Sequence, residues 1–186
     1  MTKKLLSNYI NHIAELTTEL NKDKILELKK LILETKRKKG KVIIFGNGGS
    51  ISTANHFSVD LTKNAKIRCI SISNDNLITC FSNDYGFENW IKKSIEYFAD
   101  RTDLIIFLSV SGESENILNA ARYAMKRKIK IFSLTGHKRF NSLNKICKNN
   151  IWINSMSYNA VEILHSIILL NIVDLIIGKN IYNSKK

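Results

Sequence analysis

Apolar and polar positions alternate between two regimes along the chain. Helical spacing of apolar residues over 3–20 and 23–38 predicts two amphipathic helices at the start. KVIIF (41–45) is then apolar without alternation, as a strand buried on both faces would be. Helical spacing resumes from Ile51 to Thr62, and KIRCISI (66–72) reads as a second strand. Helices over 75–82 and 88–99 precede DLIIFLS (103–109), a third strand. A helix over 115–127 leads to KIKIFSL (128–134), and a short helix over 140–148 leads to NIWI (150–153). The last helix runs from Asn159 to Gly178, with Gly178 as its C-terminal cap.

Strands alternating with helices, each strand apolar throughout, predict an α/β fold. The expected form is a doubly wound αβα sandwich around a five-stranded, mainly parallel sheet. The chain reads as a single domain over 1–186, with N-terminal helices over 1–40 and the αβα core over 41–186. Ligands bind such sheets beyond the C-terminal ends of strands. Chemistry is therefore expected just after 45, 72, 108 and 134.

Composition changes this picture little. The hydrophobic fraction is 44% and the charged fraction 24%, ordinary for a globular protein. The net charge of +13 invites a nucleic-acid reading. However, 23 Lys, 28 Ile and 21 Asn beside 6 Arg and no Pro follow the codon bias of an AT-rich genome. Much of the charge then lies on solvated faces, and no nucleic-acid partner is expected. The basic run KRKKGK (36–41) suits a helix C-terminus. Cys69, Cys80 and Cys147 show no CxxC spacing, which excludes a zinc ribbon, and their odd number argues against a disulfide framework. No window reads as the ~20 apolar residues of a membrane span, because 163–178 carries His165, Asn171 and Asp174. The first residues form an amphipathic helix rather than a signal peptide, so the cytoplasm is the expected compartment.

Two loops carry candidate chemistry. Gly46-Asn47-Gly48-Gly49-Ser50 follows the first strand and opens a helix. Its glycines allow close backbone approach to an anion, and the helix start supplies unpaired N–H groups. A plain glycine turn is the alternative. Ser109-Val110-Ser111-Gly112-Glu113-Ser114 follows the third strand and also opens a helix. Three hydroxyls there suit a phosphate ester, and an N-cap would account for only one of them.

Strand–GNGGS–helix, SNDYGF (82–87) and strand–SVSGESEN–helix together resemble the sugar isomerase (SIS) domain family, in particular its phosphoheptose isomerase branch. The resemblance spans nearly the whole chain. It implies interconversion of sedoheptulose 7-phosphate and D-glycero-D-manno-heptose 7-phosphate, a first step toward the heptoses of lipopolysaccharide or capsule. It implies proton transfer between C1 and C2 through a cis-enediol, a homotetramer joined through the N-terminal helices, and a zinc cofactor. Leu5, Ile10, Ile13 and Leu16 could supply the subunit contact or pack within the chain. By the resemblance Asn47, Gly48, Gly49 and Ser50 lie near the sugar, Asn83 and Asp84 contact substrate, and Ser109, Val110, Ser111 and Ser114 hold the phosphate. Val110 stands where the family has threonine.

The acid–base positions depart from the family. Its helical His and the Glu four residues on read here as His56 and Asp60, which share one helical face. Such a pair can ligate zinc or move a proton, or it can be an ordinary surface pair. On the last helix Glu162 stands at a family Gln, His165 at a family His, and Leu170 where a catalytic His is expected. The resemblance leaves Asp60, His56, Glu162 and His165 as catalytic candidates, and His56, Asp60 and Glu162 as candidate metal ligands. His165 could equally be a packing histidine. The competing function is a non-catalytic SIS module that binds a sugar phosphate or a protein.

Overall fold

The structure, a computed structural model, describes residues 2–178. The elements run α1 (Thr2–Thr18), α2 (Lys22–Arg37), β1 (Val42–Phe45), α3 (Gly49–Lys63), β2 (Cys69–Ser71), α4 (Asp75–Tyr85), α5 (Trp90–Phe98), β3 (Leu104–Ser109), α6 (Glu115–Lys126), β4 (Lys130–Thr135), α7 (Ser142–Ile146), β5 (Asn150–Trp152) and α8 (Tyr158–Ile177). All four strand pairings are parallel, in the order β2-β1-β3-β4-β5. The expected α/β architecture is thus the observed one.

Alternation along the strands divides the core into two layers. Val42, Ile44, Leu104, Ile106 and Leu108 face α2, α3 and α8, while Ile43, Phe45, Ile105 and Phe107 face α5, α6 and α7. The helix after β1 and the helix after β3 therefore lie on opposite faces. A crevice opens between the C-terminal ends of these adjacent strands, which is the ligand position in open α/β sheets.

Element boundaries shift where helix ends take residues from strands. β2 starts at Cys69 because Lys66, at φ +55°, turns the chain and Ile67 N–H bonds back to Leu61 O of α3. β4 starts at Lys130 because Lys128, at φ +59°, and the Ile129 N–H to Ala124 O bond close α6. α3 begins at Gly49, two residues earlier than its apolar periodicity indicates.

The expectation that no segment reaches membrane-spanning character needs correction. By length and composition alone α8 qualifies. It is nonetheless a core helix, with Val161, Leu164, Ile168, Leu169 and Ile172 buried against α2 and α3. α1 buries only Leu16 and leaves Leu5, Leu6, Tyr9 and Ile10 exposed.

Candidate active site

The glycine loop is shaped by one residue. Gly48 takes φ +53°, a left-handed conformation that favours glycine, and turns the chain from β1 into α3. Ser50 N–H and Ile51 N–H close the first turn onto Asn47 O and Gly48 O, each at 3.0 Å. The Asn47 amide then crosses to α6. Its Nδ2 donates to Asn116 Oδ1 at 3.0 Å, and Asn116 Nδ2 returns a bond to Asn47 Oδ1 at 2.9 Å. Asn116 is buried, and its Oδ1 also accepts from Ile117 N–H. This amide pair ties the two loops across the crevice.

The serine loop is held in three places. Ser109 Oγ accepts from Gly112 N–H and Ser111 Oγ accepts from Glu113 N–H, both at 3.2 Å. As acceptors, both hydroxyls keep their hydrogens for a ligand oxygen. Ser114 is the N-cap of α6 but makes no side-chain cap bond, so its hydroxyl is uncommitted to the helix. Gly112, at φ +67°, packs so closely on Asn141 that a Cβ would collide with that side chain. Its carbonyl accepts from Leu143 N–H, and the Glu113 carboxylate accepts from Ser142 N–H at 2.9 Å. Hydrogen bonds from Ser142 hold the Glu113 carboxyl below the usual carboxylate range. α7 thus clamps the serine loop from behind. Val110 is buried and contributes main chain only: its carbonyl accepts from Gly136 N–H.

α3 and α8 run side by side along the glycine loop. The Glu162 carboxylate lies against the start of α3, where Ser50 Oγ donates to Glu162 Oε1 at 3.4 Å. The unpaired N–H groups and the dipole of α3 favour a carboxylate there. One turn on, Thr53 Oγ1 and Ser166 Oγ are 2.9 Å apart. Tyr9, Gly49, Thr53, Glu162 and Ser166 border an open cleft of about 370 Å³. Asp60 sits further along α3. His56 Nε2 lies 3.4 Å from Asp60 Oδ2, and Asn64 Nδ2 donates to Asp60 Oδ1 at 3.1 Å.

The structure does not bring His56, Asp60 and Glu162 together. Among the described residues no group of three or more His, Cys, Asp or Glu side chains could hold a metal. The reason is distance along the helix: His56 stands about 10 Å beyond Gly49 at 1.5 Å per residue, and Glu162 faces Gly49. The three-ligand zinc set expected from the sequence is corrected on this ground.

His165 is buried at 1% exposure, and neither ring nitrogen has a hydrogen-bond partner among the described residues. Burial pushes its pKa down to about 3, and the Thr135 backbone opposes this only slightly. It is a neutral imidazole buried in the packing of α8, with the Thr135 backbone as its nearest polar neighbour. Leu170 is half-buried on α8. Asn83 and Asp84 lie exposed near the end of α4, a helix with no buried residue. Asn83 Nδ2 donates to Asp84 Oδ1 at 3.0 Å. The Asp84 carboxylate also faces the Cys80 thiol and pushes its pKa up.

Sequence reasoning missed Asn116, Thr53, Ser166 and the Glu113–Ser142 clamp. Asn116 closes the SVSGESEN motif, but its partner Asn47 is 69 positions away. Thr53 and Ser166 carry no spacing signal, since their helices are 113 positions apart.

Comparison with known proteins agrees with this architecture. Residues 7–136 match the SIS domain family. The phosphoheptose isomerase 1 of Campylobacter jejuni is 30% identical over 165 residues, covering 86% of this chain and 88% of that protein. The phosphoheptose isomerase of Cytophaga hutchinsonii is 31% identical over 176 residues, 89% of each chain. Among solved structures, the phosphoheptose isomerase of Neisseria gonorrhoeae superposes with a TM-score of 0.88 at 19% identity, covering 96% of this chain and all of that one. The chain belongs to the SIS-domain family and, within it, to the phosphoheptose isomerases.

Proposed function

We propose that the protein interconverts sedoheptulose 7-phosphate and D-glycero-D-manno-heptose 7-phosphate. The observation that carries the reading is the Asn47–Asn116 amide pair. It locks a hydroxyl-rich, phosphate-suited loop to a glycine loop that has a carboxylate beside it. Ser109, Ser111 and Ser114 hold the phosphate through O–H donors and the start of α6. Anchoring the far end of a seven-carbon chain fixes C1 and C2 relative to the acid–base groups. Asn47, Gly48, Gly49 and Ser50 line the sugar, with Asn83 and Asp84 as further substrate contacts.

In the ketose-to-aldose direction a base removes a proton from C1, giving a cis-enediol. The proton returns to C2, while O2 gains a hydroxyl proton and O1 gives one up to become the aldehyde oxygen. Glu162, beside the glycine loop, is the carboxylate assigned to these transfers, and Asp60 with its His56 partner lies further along α3 as the second candidate base. His165 supports the helix rather than the chemistry in this reading. A zinc cofactor is compatible with the family, but the donors as arranged do not fit one, so no step runs through it.

The remaining features follow from the same reading. Residues 1–186 act as one SIS domain, since β5 and α8 continue the sheet and core beyond the matched region. The exposed Leu5, Leu6, Tyr9 and Ile10 support assembly through α1 into a homotetramer. A phosphorylated sugar implies the cytoplasm, and the product would feed heptose for surface polysaccharide.

Leu170 favours a second reading, in which the pocket binds sugar phosphate without turnover. An NMR time course of sedoheptulose 7-phosphate, with and without added zinc, separates the two. The expected result is appearance of the aldose phosphate, abolished in Glu162→Gln and in Asp60→Asn. Raised melting temperature with no turnover would establish the non-catalytic module. Turnover undiminished in both variants would overturn the acid–base assignment.

A further inference from the structure

A second cleft, of about 570 Å³, lies along the free edge of β5, away from Glu162 and the serine loop hydroxyls. Arg139, Lys145 and Lys148 line it, and none has a carboxylate at ion-pair distance among the described residues. Glu19 lines it as well, near the end of α1. The Arg139 guanidinium stands over two rings, 6.0 Å from the Phe140 centroid and 5.8 Å from Trp152. Trp152 is itself fixed, since its Nε1–H donates to His137 O at 3.1 Å. Phe140 is 78% exposed, an unusual position for a phenyl ring on a soluble face.

The floor of the cleft is main chain. Ile153 N–H bonds Thr135 O, and Ser133 N–H bonds Asn149 O. In a parallel ladder this turns 149, 151 and 153 toward β4, so the N–H and C=O groups of Asn150 and Trp152 face away from β4 along the free edge, where both residues line the cleft. The cleft thus combines three cations without a carboxylate at ion-pair distance, a free strand edge and an exposed ring. Its volume falls in the range of small-molecule sites, about 300–1,000 Å³.

We propose that this cleft binds a nucleoside di- or triphosphate, with the phosphates on Arg139, Lys145 and Lys148 and the base stacked on Phe140. Cations alone would serve any anion; the exposed ring beside a pre-stacked guanidinium selects one that carries an aromatic group. The site is independent of the isomerase reading. It touches that chemistry only through α7, whose first residues also clamp the serine loop.

Isothermal titration calorimetry of the full chain with ADP, ATP, pyrophosphate and adenosine tests the proposal. Saturable binding of ADP or ATP is expected, with pyrophosphate weaker and adenosine weakest. Arg139→Ala should weaken ADP binding about tenfold, the loss of one charge-assisted hydrogen bond. Phe140→Ala should weaken ADP but leave pyrophosphate unchanged. Ser111→Ala, in the serine loop, should leave ADP binding intact. Melting temperatures near wild type establish that these surface variants fold. Absence of saturable ADP binding at millimolar concentration overturns the proposal, as does binding lost in Ser111→Ala but kept in Arg139→Ala. Equal affinity for ADP and pyrophosphate, with no effect of Phe140→Ala, overturns the nucleotide assignment.

Discussion

Gly49→Ala separates the place of the Glu162 carboxylate from the stability of the fold. A Cβ at this position would lie 2.5 Å from Glu162 Oε2 and 2.8 Å from Oε1. Ordinary contact begins at 3.4 Å, so the carboxylate must retreat by about 0.9 Å. Gly49 does not need the left-handed conformation that its neighbour Gly48 adopts, so alanine strains no backbone. The obstacle is the far end of a flexible side chain, which can swing into the open cleft beside it. Alanine also favours the helix by up to about 1 kcal/mol over glycine. Stability is therefore expected to change by less than about 1 kcal/mol. Activity should respond very differently, since about 1 Å of misplacement of a reacting group costs on the order of a hundredfold, about 2.7 kcal/mol of barrier. Turnover of sedoheptulose 7-phosphate followed by NMR, beside thermal unfolding by circular dichroism, measures both. A kcat about a hundredfold lower with a near-native melting temperature is expected. Glu162→Gln combined with Gly49→Ala should be no slower than Glu162→Gln alone, because both changes act on one group. Wild-type kcat in Gly49→Ala would refute the argument, because it would mean that Glu162 does no work where it stands.

Three further outcomes follow from the same geometry. Gly112→Ala should destabilise the fold by about 1–3 kcal/mol through its φ of +67° and the collision with Asn141, and should raise KM through the serine loop; urea unfolding and substrate titration read the two effects. His165 has a folded pKa near 3 against about 6.5 unfolded, so below pH 6.5 the unfolded state binds a proton that the native state refuses. Stability should therefore fall as pH falls, by about 1.6 kcal/mol between pH 6.5 and 5 from this residue, and His165→Leu should remove that part of the slope in urea unfolding. Leu6→Asp with Ile10→Asp should reduce the light-scattering mass to the 21.3 kDa of one chain while leaving the circular dichroism spectrum unchanged, because both side chains are more than half exposed.

What could be read in the residues beforehand depended on whether the signal was local. The parallel sheet was legible because a strand buried on both faces must be apolar, as VIIF and the LIIFL run of β3 are. The glycine and serine loops were legible as strand-to-helix turns because each is a compact run of glycine or serine at a strand end. α3 proved longer than its periodicity because Gly49 and Ser50 lack apolar side chains yet lie within its first turn. α8 hid its orientation, since a helix apolar on nearly every side carries no periodicity to say which face turns inward. That is why His165 could be a site residue on paper and a buried packing residue in space. The i,i+4 spacing of His56 and Asp60 did place them in contact, as any helix must. It carried no information on Glu162, whose position follows from how α8 lies along α3. The place of Glu162 beside the glycine loop is therefore a property of the α3–α8 packing. Substitutions that shift those two helices, such as Ala54 or Ala160 enlarged in the core between the sheet and its helices, should alter catalysis before they alter the fold.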